Sequence, residues 1–461
     1  MCFQIMNVND ELIVNIEKMI YGGSALTRVD GIPIFIDGGC PEDTLKIKIT
    51  KKNKNFLNAE IIEIIEPSMH RIKPICALHN VCGSCNWQYI TYDEQLKQKE
   101  NIVKETIKNI TGKDYNIEQI IPSPIQKEYR CKVQYPVSET KVSKRILSGY
   151  YKNNSHELIN VKFCPMNKPI ISEITEFIKS KAQEFGITGY DEKTHKGLLR
   201  HFVFRQSSDE TEILLIFVIN DNQISKNLRN LSCELMKKYP QIKGICANFN
   251  TKKTNVILDK VTKVISGNDF YIEKLSNKKY KVSANSFFQV NPYCATLIFD
   301  KVKELISKNV DNPTILDAYA GVSSFGIWMS DIASKVVCIE EAISSSNDAI
   351  ENVNLNNLHN VEIINGDAAV EFKKLIDNKV KFDVCLVDPP RKGCTEESIK
   401  NLVALSKDYI AYVSCNVSTL ARDMNLLEKY NYYPIYIQPA DMFPNTYHVE
   451  TICLFKIKEK L

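Results

Sequence analysis

The sequence is notable first for what it has little of. No apolar run approaches the ~18 residues that a membrane span needs. The opening residues carry acids at Asp10 and Glu11 and lack a basic stretch, so no signal peptide is expected and the cytoplasm is the expected compartment. There is no charge excess: 59 basic residues face 55 acidic ones, net +4. A balanced total neither demands nor excludes a nucleic-acid partner, because a basic patch can hide in it. Only nine of the basic residues are arginine. The leaning toward Lys, Ile and Asn reads as compositional, without functional content. No internal repeat or low-complexity linker is visible.

What is present is ordinary globular material in quantity. At ~100–200 residues per domain, 461 residues suggest two to four domains. Apolar residues make up 44% and aromatics 9%, which excludes a disordered chain or a collagen. The unusual count is fifteen cysteines. They are too scattered for a disulfide lattice, the number is odd, and a reducing compartment keeps them as thiols. Most, such as Cys246, Cys338, Cys385 and Cys453 in apolar runs, are expected to be small core residues. The question is which few are ligands or nucleophiles.

Residues 1–66 read as short strands and turns, with turns at Tyr21-Gly22-Gly23 and Asp37-Gly38-Gly39, a pattern that predicts a small OB-like β-barrel. Lys46, Lys48, Lys51, Lys52 and Lys54 lie on one strand and the turn after it. They form either a solvated edge or a basic rim. Residues 67–90 hold a Cys-rich knot. A helix is predicted over 91–110, capped by Thr91 with Glu94 completing a capping box. From 125 to 280 the pattern is mixed, mostly strands, with a helix over 170–185 and a buried strand at Ile213–Ile219. From 313 onward short apolar runs alternate with helix-length segments, which predicts a parallel, doubly wound sheet. The chain is thus divided into an N-terminal barrel (1–66), a central α+β domain (67–282) and a C-terminal Rossmann-like α/β domain (283–461).

Three of the C-terminal strands end in acids: Asp317, Glu340 and Asp388. Ligands of such sheets sit beyond the carboxyl ends of the strands. Asp317 opens the loop DAYAGVSSFG, and Glu340 follows roughly twenty residues later, where a carboxylate typically holds ribose hydroxyls. The loop has no phosphate-cradling glycine trio. That favours S-adenosylmethionine, which carries no pyrophosphate, over a dinucleotide.

Asp388 begins DPPRKG, a loop stiffened by two prolines. Amino-methylating enzymes place an aromatic residue after such a motif, whereas Arg391 stands here. The next strand ends YVSCN, setting Cys415 at the same edge as the acids, and Glu450 precedes the last strand. A thiol, a carboxylate and a methyl donor together have a clear use. Carbon 5 of uracil is a poor nucleophile until a thiolate adds to carbon 6. A base must then remove the carbon-5 proton. The thiolate is the active form, so the site is expected to lower the Cys415 pKa.

In the knot, Cys76, Cys82 and Cys85 stand in CALHNVCGSC. Three thiols this close suggest a metal site. On the residues alone, zinc, with His79 lying between them, and an iron–sulfur cluster remain equal alternatives.

At these residues the chain resembles the RNA uridine-5 methyltransferase family, in particular its iron–sulfur branch acting on 23S rRNA. The resemblance rests on SANSFFQVN (Ser283–Asn291), DAYAG, Glu340, DPPRKG, SCN and HVE, in that order. It implies Cys415 as nucleophile, Glu450 as general base, and Gln289, Tyr319, Glu340 and Asp388 as S-adenosylmethionine contacts. It also implies a TRAM domain over 1–66, and a 4Fe–4S cluster on Cys76, Cys82, Cys85 and Cys164, the last in the turn of VKFCPMN. RNA is the implied partner, 23S rRNA ahead of tRNA, and a monomer is expected. Tyr129–Val137 and Gly149–Ile159 resemble segments near bound RNA, with half-buried strands bearing a solvated face as the equal alternative, and Phe287, two residues before Gln289, is a candidate to stack on a base. The chain departs from the family's Cys-Gly-x-Gly-Thr after the Tyr, with Ala320-Gly321-Val322-Ser323-Ser324 instead, so Ser323 and Ser324 are not assigned to the site. An RNA-binding iron–sulfur module with an inactive transferase domain is the alternative from another class.

Overall fold

The computed structural model describes residues 6–153 and 155–458. Residues 1–5 and 459–461, at the ends of the expected first and last domains, and Asn154 in the Gly149–Ile159 stretch lie outside the described residues.

The N-terminal strands form one six-stranded sheet whose two edges are Glu11–Asn15 and Lys18–Met19. Laid flat, six strands would span about 24 Å. The short link between these edge strands reaches only about 11 Å, so the sheet must curl back on itself. In Thr44–Lys52 the residues Leu45, Ile47 and Ile49 are buried and the lysines between them face outward, the period-2 signature of a sheet with one wet face. Part of the lysine rim is used within the barrel: Lys46 pairs with Glu11 at 2.8 Å and Lys52 donates to the Met6 carbonyl at 2.8 Å. Lys51 and Lys54 are exposed.

The predicted helix after the knot runs Tyr92–Thr111. The predicted capping box is not formed: Thr91 makes no side-chain cap. Glu94 instead accepts from Gln98 at 2.6 Å and lies 3.6 Å from His70. The helix buries Ile102, Val103 and Ile107 in one core with Leu420 and Met424 of the helix Val417–Glu428.

The central sheet has seven strands, ordered Thr262–Gly267, Ile242–Phe249, Ile213–Ile219, Leu199–Gln206, Lys132–Glu139, Ile146–Tyr151 and Leu158–Asn160. Ile213–Ile219 is buried throughout. The helices Pro169–Glu184 and Lys226–Lys238 cover one face. On the other, Val203, Leu214, Ile216 and Val218 share a core with the hairpin Phe270–Leu275/Lys278–Ser283, the helix Pro292–Asn309 and the C-terminal sheet.

The C-terminal sheet is built from β1 (Thr314–Ala318), β2 (Lys335–Glu340), β3 (Val361–Asn365), β4 (Phe382–Val387), β5 (Ser406–Ser414), β6 (Tyr432–Ala440) and β7 (Glu450–Ile457) in the order β3-β2-β1-β4-β5-β7-β6. The first five are parallel, as the alternation predicts. The wholly parallel sheet expected from sequence is corrected at one edge: β7 runs antiparallel to both β5 and β6. Pro434 and Pro439 disguise β6, whose pairing carries an irregularity between Pro434 and Tyr436, as proline in an edge strand does. Among the described residues no helix is long and apolar enough to cross a membrane.

Candidate active site

Strand order reverses between β2-β1 and β4, and a cavity of about 600 Å³ opens at the carboxyl ends there, where open α/β sheets hold ligands. Gln289, Tyr319, Glu340, Asp388, Cys415 and Glu450 all line it, as do Asp317, Phe287, Arg391, Phe443 and His448.

The cofactor half is made by the loop after β1. Tyr319, Gly321 and Ser323 all have left-handed backbone, with φ of 64°, 57° and 63°. That conformation is strained for the non-glycine residues, and it turns amide N–H groups toward the strand-end acids. Gly321 donates to Glu340 Oε2 and Ala342 to Oε1, each at 2.8 Å, so the Glu340 carboxylate is fixed by two backbone amides. Gly326 donates to Asp317 Oδ2 at 2.9 Å. A Cβ on Gly326 would lie 2.3 Å from Cys338 Sγ and 2.6 Å from Ser323 Oγ, so this helix turn reaches the acids only because the residue is glycine. Ser323 is buried against Cys338 Sγ at 3.2 Å. Ser324, left unassigned from sequence, lines the cavity.

Burial sets the electrostatics. It pushes the Asp317 carboxyl up to about 8, with Asp388 and Glu340 adding repulsion. Asp388 is raised to about 7 despite a hydrogen bond with Gln289. Glu450 is raised to about 8 by burial and by Asp388, opposed by Arg391. The neighbouring acids therefore favour a cationic guest.

Cys415 follows β5, and Asn416 caps the next helix by accepting from the Ser418 amide at 3.1 Å. Asn416 also donates to the Arg391 carbonyl at 3.0 Å, tying the DPPRKG loop to the thiol. The expected lowering of the thiol pKa is not met. Burial first, then the charges of Glu450 and Asp388, push Cys415 up to about 11, and Arg391 opposes them. The reason is physical: burial disfavours the thiolate and two acids add to it, more than the single Arg391 guanidinium offsets, and a further positive charge would shift that balance toward the thiolate.

Four residues that the sequence reading did not assign to the site stand out. Asp317 was noticed as a strand-end acid. Asn285 lies two residues before Phe287. Phe443 and His448 lie on the loop between β6 and β7; His448 opens the HVE motif that ends in Glu450, whereas nothing in the spacing of Phe443 signals a cavity. His448 is a neutral ring, held down to about 4 by burial and by Arg391.

The four knot cysteines gather away from this cavity. Cys85 and Cys164 are buried with Tyr129, Val161 and Met166. Cys82 lies within electrostatic reach of Cys85, Cys164 and Cys76 and accepts from the Ser84 amide. Cys164 accepts from the Met166 amide and feels Arg130. Among the described residues no group of three or more His, Cys, Asp or Glu converges on a point that a single metal ion could occupy. Arg130, in a stretch read as a possible RNA contact, turns inward and donates to Ser84 Oγ at 2.7 Å. Its neighbours Tyr129 and Cys131 are buried.

Residues 91–458 match the model of the tRNA (uracil-5-)-methyltransferase family. The chain belongs to that family. Residues 7–62 match the TRAM domain, so the curled sheet is a TRAM domain and the α/β unit an S-adenosylmethionine-dependent methyltransferase domain. An RNA methyltransferase of Oceanobacillus iheyensis, itself uncharacterised, is 34% identical over 98% of both chains. One from Clostridium tetani, also uncharacterised, is 34% identical over 94% of this chain and 93% of its own. The crystal structure of a Pyrococcus abyssi tRNA (uracil-54, C5)-methyltransferase with S-adenosyl-L-homocysteine superposes with a TM-score of 0.75 at 25% identity, covering 96% of this chain and all of that one. The protein is thus an S-adenosylmethionine-dependent RNA uracil-5 methyltransferase. RNA is its substrate class.

Proposed function

We propose that this methyltransferase modifies carbon 5 of a specific uridine in 23S rRNA, acting in the cytoplasm as a monomer through a covalent Cys415 adduct. The observation that carries the reading is the convergence of Cys415 and Glu450 on the cavity that also holds the strand-end acids. S-adenosylmethionine supplies an electrophilic methyl group and a sulfonium charge. Glu340 binds the ribose hydroxyls with its amide-fixed carboxylate, and Tyr319, Gln289 and Asp388 complete the contacts. Cys415, as thiolate, adds to carbon 6 of the uracil and makes carbon 5 nucleophilic. Once carbon 5 is methylated, Glu450 takes its proton, the double bond re-forms and the thiolate is expelled. The uridine leaves its stack to enter, and the ring of Phe287, 55% exposed, is available to receive it.

The knot suits a 4Fe–4S cluster better than zinc. The thiols are gathered and two accept backbone amides, as cluster ligands do. The charges acting on Cys82 are those of Cys85, Cys164 and Cys76, whereas His79 packs against Tyr89 at 5.4 Å. Cys76, Cys82, Cys85 and Cys164 would hold the cluster, which methyl transfer does not require as a redox centre. The three-part division at 66/67 and 282/283 belongs to this reading.

The same chemistry on tRNA is the second reading, supported by the Pyrococcus tRNA enzyme. Because that enzyme aligns over 96% of this chain, the barrel and the knot do not separate the two. Mass-spectrometric mapping of 5-methyluridine in rRNA and tRNA from a deletion strain tests the proposal. Loss of a 23S rRNA site is expected, and loss confined to tRNA overturns it.

A further inference from the structure

An aromatic path links the TRAM barrel to the catalytic cavity. Tyr21 stands on the barrel turn between Lys18–Met19 and Ala25–Val29. Its ring meets Tyr447 edge-on, centroids 5.4 Å apart. Tyr447 lies 4.3 Å from His448, and His448 lies 5.9 Å from Phe443. The last two line the cavity. Tyr21 is 39% exposed and within electrostatic reach of Arg391, Cys415 and Glu450. The turn is docked firmly. Trp87 Nε1 donates to the Gly23 carbonyl at 3.0 Å. A Cβ on Gly23 would come within 3.0 Å of the Tyr447 ring and 3.2 Å of Asn86, so glycine permits the approach. Tyr21 is therefore a half-exposed ring held at the mouth of the site by a different domain from the one that carries the nucleophile.

We infer that Tyr21 is a stacking platform for the nucleobase adjoining the target uridine, so that the TRAM barrel takes part in positioning the substrate at the reaction centre. The inference rests on the RNA-uridine reading above. When one base leaves a strand and enters an enclosed cavity, its neighbour loses a stacking partner. Unpaired bases are commonly received by aromatic rings, with little regard to sequence. The cavity must hold both the cofactor and the target base, which leaves the adjoining base at the rim. There Tyr21 is 39% exposed, and the Arg391 guanidinium lies within its electrostatic reach. Tyr447, which buttresses Tyr21 edge-on, keeps the ring from folding away.

The test uses the full-length protein and the RNA hairpin bearing the uridine identified by the mapping experiment. 2-Aminopurine replaces the base on the 3′ side in one hairpin and on the 5′ side in another. Wild type and Tyr21→Phe should quench one of the two probes on binding. Tyr21→Ala should lose that quench and raise KM for RNA about tenfold, with cofactor affinity and Tm unchanged. Tyr21→Trp should restore the quench. An unaltered quench and KM in Tyr21→Ala overturns the inference. So does a parallel fall in Tm and cofactor affinity, which would mark Tyr21 as a packing residue only. Failure of the underlying reading looks different, because wild type itself would then leave no 5-methyluridine to map.

Discussion

Ser414 pairs with Thr451 across the antiparallel strands β5 and β7, and this register brings Cys415 and Glu450 to the same edge of the sheet. β7 begins at the edge where β5 ends, so a residue that starts one strand faces a residue that follows the other. In a wholly parallel sheet Glu450 would start its strand at the opposite edge, far from the thiol. Under the proposed division of tasks between thiol and carboxylate, Glu450→Gln should still form the adduct. It should accumulate covalent enzyme–RNA complex and release little product, as denaturing electrophoresis of reaction mixtures would show.

The amide-fixed Glu340 carboxylate makes a second expectation. Hydrogen bonds to charged groups contribute about 1.5–3 kcal/mol. Glu340→Gln should therefore weaken S-adenosylmethionine binding roughly ten- to a hundredfold by calorimetry, leaving RNA affinity unchanged.

Gly326 tests the loop. An added methyl group would press on Cys338 Sγ and Ser323 Oγ, so Gly326→Ala should destabilise the protein by about 1–3 kcal/mol, the usual range for overpacking. Removing one obstacle in Gly326→Ala/Cys338→Ala should recover part of the loss in Tm.

Much of this site is legible in the sequence because it is built from strand ends. A short apolar run that stops at an acid or a cysteine reveals both the strand and its edge, which is how Asp317, Glu340, Asp388 and Cys415 are found. The alternation of such runs with helix-length segments also reports the parallel order of the first five strands. The direction of β7 is not legible, since antiparallel pairing leaves no local mark and β6 is masked by Pro434 and Pro439. Phe443 is hidden for another reason: it sits on an irregular loop whose path is set by distant residues. Lys99 holds that loop, donating to Asp441 at 2.5 Å and to the Phe443 carbonyl at 3.0 Å. The direction of the thiol pKa is not legible either, since it depends first on burial and then on acids contributed by other strands.

The Lys99–Asp441 pair itself is fully buried. Removing one partner of such a pair strands a charge and typically costs about 3–5 kcal/mol. Lys99→Met should lower Tm strongly. Lys99→Met/Asp441→Leu should be milder than the single substitution in denaturant unfolding, because no charge is left unpaired.

The raised carboxyls give a pH dependence of definite sign. Asp317, Asp388 and Glu450 hold their protons up to about 8, 7 and 8 in the folded protein, well above the ordinary carboxylate range. In the cofactor-free protein these three groups therefore bind more protons folded than unfolded, and the stability they contribute is fully present below their unfolded pKa values of about 4 and is lost as the pH rises toward 8. Thermal unfolding across that range should show the decline, and Glu450→Gln should flatten part of it.

The central claim is that Cys415 adds covalently to the target uracil. 5-Fluorouridine in place of the target leaves no proton for Glu450 to remove, so the adduct cannot resolve. Wild-type protein with S-adenosylmethionine and such an RNA should give a stable, denaturant-resistant complex whose peptide map carries the nucleotide on Cys415. Cys415→Ala should give none, and should form no 5-methyluridine while still binding the cofactor. A Cys415→Ala protein that methylates RNA, or an adduct mapped to another residue, would contradict the account.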